Sequence, residues 1–90
     1  MTSIDFTPTG VCSSNIHVEL DDAGKTIERI EFAGGCNGNL KAISALVAGH
    51  DIDEVTPLLE GITCGQRSTS CADQLTRALR SARELATQEA

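Results

Sequence analysis

The chain has no Trp and no Tyr, and its aromatic content is limited to Phe6 and Phe32. Aromatic rings normally supply the largest blocks of buried area, so the core must be assembled from Leu, Ile, Val and Ala. At 90 residues such a core is marginal, and a bound metal or a partner would be an unsurprising support. Positive charge is also scarce: 7 Lys and Arg stand against 13 Asp and Glu, for a net charge of −6. That balance argues against electrostatic binding to nucleic acid or to an anionic membrane surface. No apolar run approaches membrane-spanning length, and Met1-Thr2-Ser3-Ile4-Asp5 lacks the basic and apolar regions of a secretory leader. The expectation is a soluble cytoplasmic protein with a single domain over residues 1–90. In that compartment four cysteines are better explained as metal ligands or working thiols than as disulfides. Four is also the number that fills a closed tetrahedral site.

What the chain does have is one stretch that cannot be ordinary strand or helix interior, Gly34-Gly35-Cys36-Asn37-Gly38-Asn39-Leu40. Glycine tolerates positive φ and close backbone approach, and Asn is the next most tolerant residue. The chain therefore turns sharply here and presents a cysteine. The turn leads into a helix whose positive end favours thiolate over thiol.

Around this turn the periodicity changes once. Residues 2–7 read as a short strand stopped by Pro8, and Thr9 to Asn15 as a polar loop around Cys12. Ile16, Val18 and Leu20 alternate inward along a second strand. Asp21-Asp22-Ala23-Gly24-Lys25 is hairpin-turn chemistry. Thr26 to Ala33 is a third strand in which Ile27 is out of phase, so a bulge is expected near it. Beyond the turn, Leu40, Ile43, Leu46 and Val47 fall at helical spacing, with Asn37 or Asn39 as cap and Gly49 to end the helix. Asp51 or Asp53 caps a short helix burying Val55, Leu58 and Leu59, with Pro57 acceptable only in its first turn. Gly61 closes it, Ile62-Thr63-Cys64 is briefly extended, and Ser70 with Asp73 forms a capping box. The last helix runs from about Cys71 to Thr87 and buries Leu75, Ala78, Leu79, Ala82 and Leu85. The predicted fold is α+β: a three-stranded, mostly antiparallel sheet with helices packed on one face.

Cys12, Cys36, Cys64 and Cys71 each sit at an element boundary, and none lies on an apolar stripe, where an inert cysteine would pack as a small hydrophobe. We expect these four residues to be metal ligands converging at one end of the sheet. Four thiolates suit zinc or an iron–sulfur cluster equally. The spacing is not that of a double Cys-x-x-C ribbon, and without any Cys-x-x-C a thioredoxin-like exchange role is disfavoured. An alternative of another class is a thiol-based enzyme or sulfur or cluster carrier using Cys36 or Cys71 as nucleophile. His17 and His50 are expected to be solvated, and Asp53 and Glu54 to be first-turn helix charges. Arg77, Arg80 and Arg83 form a ridge on the last helix: a solvated face or, with Arg67, a docking patch for an acidic protein partner. Gly34, Gly35 and Gly38 lack the Lys-Ser/Thr pair of a phosphate-binding loop.

Four segments taken together, Gly10-Val11-Cys12-Ser13, Gly34-Gly35-Cys36-Asn37-Gly38-Asn39-Leu40-Lys41, Cys64-Gly65 and Thr69-Ser70-Cys71-Ala72-Asp73-Gln74-Leu75, closely resemble the TSCPD-domain family. Ala72 replaces the proline of that family's Thr-Ser-Cys-Pro-Asp motif; proline at a first helical turn is helpful but not required. The resemblance implies metal binding by Cys12, Cys36, Cys64 and Cys71, with zinc as the cofactor or an iron–sulfur cluster in its place. It also implies an association with B12-dependent ribonucleotide reductases, whose C-terminal domain is of this kind. Ninety residues cannot hold that enzyme's barrel and radical chemistry, so the activity itself is not carried over; an accessory or regulatory module is the expectation. The element order is more distantly similar to U-type iron–sulfur scaffold proteins, with Cys12, Cys36 and Cys71 at their three cysteine positions.

Overall fold

The computed structural model describes residues 2–35, 37–63, 65–66 and 68–89. Its elements, in order, are β1 (Thr2–Phe6), β2 (Ser13–Leu20), β3 (Ile27–Gly34), α1 (Asn37–Val47), α2 (Ile52–Leu59) and α3 (Cys71–Glu89). The strands form one antiparallel sheet in the order β1-β2-β3, the α+β arrangement expected from the pattern. Alternation sorts the side chains. Ile4 lies opposite Val18 and Val18 opposite Ile30, while Phe6 lies opposite Ile16 and Ile16 opposite Phe32. One face is thus continuously apolar, and Ile16, Val18 and Leu20 are fully buried in it. The helices cover this face, with α1 against β3, α3 across β1 and β2, and α2 against α3. From α3, Leu75, Ala78, Leu79 and Ala82 are fully buried.

The bulge expected near Ile27 is present. Leu20 pairs with Ile27 but Glu19 with Arg29, which leaves Glu28 as the extra residue. The preceding hairpin turn is held by Asp21 Oδ1, which accepts from the Lys25 and Thr26 amides at 2.9 and 3.1 Å. Gly24 there has φ +71°, and a Cβ on it would lie 2.8 Å from Ala86 Cβ of α3. Both conformation and space therefore require glycine. Just beyond, the loop between α1 and α2 docks on the start of β3. The Ile27 amide donates to His50 O (2.9 Å), and Ile27 O accepts from the Gly49 amide (2.7 Å).

Several local expectations are corrected. β2 starts at Ser13, within the stretch read as loop, because Ser13 pairs with Gly34 and Asn15 with Ala33 across a second register shift; pairing overrides the weak strand preference of Ser and Asn. α1 starts at Asn37, so neither Asn37 nor Asn39 precedes it as a cap. Leu46 and Leu58, which fall at helical spacing with apolar neighbours, are 73% and 71% exposed. Among the described residues nothing covers the short helices on that side. Pro57 lies in the second turn of α2 rather than the first; its missing N–H leaves the carbonyl of Asp53, an exposed residue, to water. In α3, Ala86 is buried and Leu85 only half-buried.

The other face of the sheet is open and carries charge in register. Asp5, His17 and Glu31 form one row across the three strands, and Ser3, Glu19 and Arg29 the next. His17, expected to be merely solvated, is pinned: Nδ1 lies 3.0 Å from Asp5 Oδ1 and Nε2 2.8 Å from Glu19 Oε2. Two carboxylates on the two ring nitrogens favour the imidazolium, so Glu19 first, then Asp5, raise the His17 pKa above its ordinary value. The Asn15 amide and then His17 hold the Asp5 carboxyl below the usual range. The sign follows from linkage. A raised histidine stabilises fully below about pH 6.5, the unfolded value, and its contribution is lost as pH rises through the higher folded value. In thermal melts above about pH 6.5 the parent protein should lose stability that His17→Gln does not lose; equal slopes for the two would contradict the imidazolium bridge.

Candidate functional site

The first turn of α3 is polar and buried, which is costly unless every group is satisfied. Thr69, Ser70, Asp73, Gln74 and Thr76 are all buried, and each has partners. The capping box forms as expected: the Asp73 amide donates to Ser70 Oγ at 3.1 Å. Ser70 Oγ in turn donates to Ile62 O at 2.6 Å. Asp73 Oδ1 accepts from the Gly61 amide (2.8 Å) and Oδ2 from the Thr69 hydroxyl (2.5 Å). Gln74 Nε2 donates to Thr69 Oγ1 at 3.0 Å, while its Oε1 accepts from the Thr9 amide at 3.2 Å. Thr76 closes the turn by donating to Asp73 O at 2.6 Å. The Thr69 hydroxyl, then the Gly61 amide, with Arg77 and Arg80 adding, keep the Asp73 carboxyl below the usual carboxylate range.

This network reaches out to two other segments. Thr9 lies three residues before Cys12, and Gly61 and Ile62 lie three and two residues before Cys64. One helix end therefore holds the approach to two cysteines and bears a third, Cys71, as its own first residue. Sequence reasoning found Ser70 and Asp73 but missed Thr69, Gln74 and Thr76. The signal was their spacing: Gln74 precedes buried Ala78 by four and Thr76 precedes buried Leu79 by three, so the buried stripe continues through polar residues.

Cys71 Sγ lies 3.1 Å from Ser13 Oγ, across 58 residues of sequence. Ser13 is buried and pairs with Gly34. Its neighbour Cys12 packs on the turn after β3: a Cβ on Gly35, at φ +79°, would lie 3.2 Å from Cys12 Sγ and 2.9 Å from Leu40 Cδ1. A side chain at position 35 would displace the thiol, which explains glycine there. Cys12 is exposed, Cys71 half-buried, and neither is in a disulfide. Cys71 is the first residue of the 19-residue helix α3. The structure thus brings Cys12 and Cys71 to one end of the sheet, beside the turn that leads to position 36. Cys36 and Cys64, like Arg67, lie outside the described residues. Among the described residues no group of three or more His, Cys, Asp or Glu is placed to hold a metal ion.

The arginine ridge is partly engaged within the chain: Arg80 pairs with Glu60 and Arg83 with Asp53, both at 2.8 Å. These contacts clamp α2 to α3, while Arg77 is exposed. His50 lies 2.5 Å from Glu54 in the first turn of α2.

A family model described as the TSCPD domain matches residues 1–83 of the chain. No curated protein and no solved structure matches, so the likeness to U-type scaffolds finds no support in these comparisons. Among the described residues, no helix is long and apolar enough to cross a membrane.

Truncating Asp73 to Ala leaves the buried Thr69 hydroxyl and the Gly61 amide without their acceptor, at a cost of about 1–3 kcal/mol. Urea denaturation should register that loss, and amide exchange at Gly61 should accelerate. The surface control Glu84→Ala should stay within about 0.5 kcal/mol. Unchanged stability and unchanged Gly61 protection in Asp73→Ala would remove the network from its proposed place in the fold.

Proposed function

The chain belongs to the TSCPD-domain family, and from that premise we propose that it is a small cysteine-ligated metal-binding protein. Cys12, Cys36, Cys64 and Cys71 are its ligands, zinc its cofactor with an iron–sulfur cluster as the alternative, and its role that of an accessory or regulatory module related to ribonucleotide reductase. The observation that supports this reading is the Cys12–Ser13–Cys71 junction beside the Gly34-Gly35 turn. Cys12 and Cys71, from opposite ends of the sequence, lie at the same end of the sheet, and Gly35, packed against Cys12, immediately precedes Cys36 in sequence. The donor set fits the group: all sulfur, one thiol exposed, one at a helix N-terminus that offsets thiolate charge. When bound, a zinc ion would supply a cross-link between the β1–β2 loop, the β3–α1 turn and α3. Ser13, donating its hydroxyl to Cys71, would steady the thiolate, and the buried first turn of α3 would fix the directions from which Cys12 and Cys64 approach. Because the unfolded chain has no preformed site, binding adds directly to folding free energy.

Protein purified without oxygen should be colourless with about one zinc per chain, or brown if a cluster is bound. Cys36→Ser and Cys71→Ser should each lose the metal. A metal present at a thousand times its Kd stabilises by about 4 kcal/mol, so both variants should melt roughly 15 °C or more below the parent. Unchanged metal content and melting in both would end this reading.

The Ser13–Cys71 contact also favours a second reading, in which Cys71 is a nucleophile of a thiol-based enzyme or sulfur carrier. Alkylation separates the two. A working thiol at Cys71 labels rapidly in the native protein, whereas a ligated one stays protected until metal is chelated.

A further inference from the structure

The sheet has two edges, and they are treated differently. β1 is only five residues long and is followed by Pro8, two common ways of blunting an edge. β3 is eight residues long, and among the described residues only Ile27 has its outward backbone groups taken by another segment, the loop at Gly49 and His50. Farther along, the Ala33 carbonyl faces β2, where it accepts from Ser14 Oγ at 3.2 Å. Alternation then turns the amides and carbonyls of Ile30 and Phe32 outward. A groove of about 500 Å³ runs along this edge, bordered by Ile30, Phe32, Leu40 and Ser44, with Glu31 and Lys41 on its rim. Its lining includes residues from both faces of β3, which requires the groove to follow the strand's open side.

We propose that this edge binds the same edge of a second copy, antiparallel and centred on Ile30, making one six-stranded sheet. Charge selects both the occupant and the register. With Ile30 opposite Ile30, Arg29 of each copy faces Glu31 of the other in the pairs where side chains approach most closely. The register already present inside one chain then continues across the axis. One row reads Asp5, His17, Glu31, then Arg29 and Glu19 of the second copy. Its signs alternate throughout once His17 is charged, and the symmetric row repeats it in reverse. Arg29 and Glu31 pair within one chain in the monomer, so the dimer exchanges that exposed contact for two across the axis. Centring the ladder one residue later would set Glu31 against Glu31, and the loop at Ile27 blocks movement the other way. The ladder is thereby confined to residues 28–32 of each copy.

Molecular mass in solution reports association independently of whether metal is bound. Sedimentation equilibrium over a concentration series, with a thiol reductant and no chelator, should show a monomer–dimer equilibrium for the protein as purified. Arg29→Glu and Glu31→Arg should each weaken the dimer by about tenfold or more, because each sets two like-charge pairs across the axis. The double reversal should return the constant to within about threefold of the parent. Circular dichroism melts of all three confirm that the fold is kept. A monomer at every concentration overturns the proposal, as does a dimer indifferent to the single reversals or not restored by the double one. Dissociation by Leu46→Asp alone would move the interface to the groove between α1 and α2 and equally overturn it.

Discussion

The buried carboxylate of Asp73 is the constraint on which the remaining structure depends. An ionised group out of water must be satisfied by donors nearby, and here the donors come from the turn just before the helix and from the segment just after α2. Gln74 extends the same demand to the β1–β2 loop through the Thr9 amide. The apolar stripe of α3 determines that the helix lies on the sheet. These polar contacts determine where its first turn sits along the helix axis, because apolar packing is non-directional and hydrogen bonds are not. The placement of Cys71 against Ser13 follows from that axial position.

This division of labour explains how so small and aromatic-poor a chain can set Cys71 against Ser13 and Cys12 against Gly35. Its aliphatic core supplies cohesion: Ile16, Val18, Leu20, Ile27, Leu75 and Leu79 are all fully buried. The end of the sheet beyond Phe6 and Phe32 has little apolar material, and there glycine, hydroxyl and amide groups take over. Gly35 lets backbone and Cys12 sulfur touch, and Ser13 joins strand to helix.

The sheet, the three helices and the capping box were legible because each rests on a local rule: alternation in β2, the Asp-Asp-Ala-Gly-Lys turn, the 3.6-residue period of α3, and Ser70 with Asp73. The misplacements came where a local rule met a tertiary one. Leu46 and Leu58 have helical spacing, but spacing reports which residues share a face, not whether anything covers that face. Ser13 looked like loop until Gly34 was known to lie beside it. His17 sits on the polar face as expected; its carboxylate neighbours Asp5 and Glu19 depend on the register of β1 and on rotamers that no single strand encodes. Of the candidate site, the positions of Cys12 and Cys71 at element boundaries were legible, whereas the hydrogen bonds around them join segments far apart in sequence.

One contact far from the thiols deserves a mechanical reading. α3 is 19 residues long, hence about 28 Å from end to end, and its far end rests on Gly24 with no room for even a methyl group between them. The helix thus spans the molecule, with Cys71 beside Ser13 at one end and the hairpin tip against Ala86 at the other. A tilt of α3 at its Cys71 end would be met at Gly24, where there is no space for a Cβ.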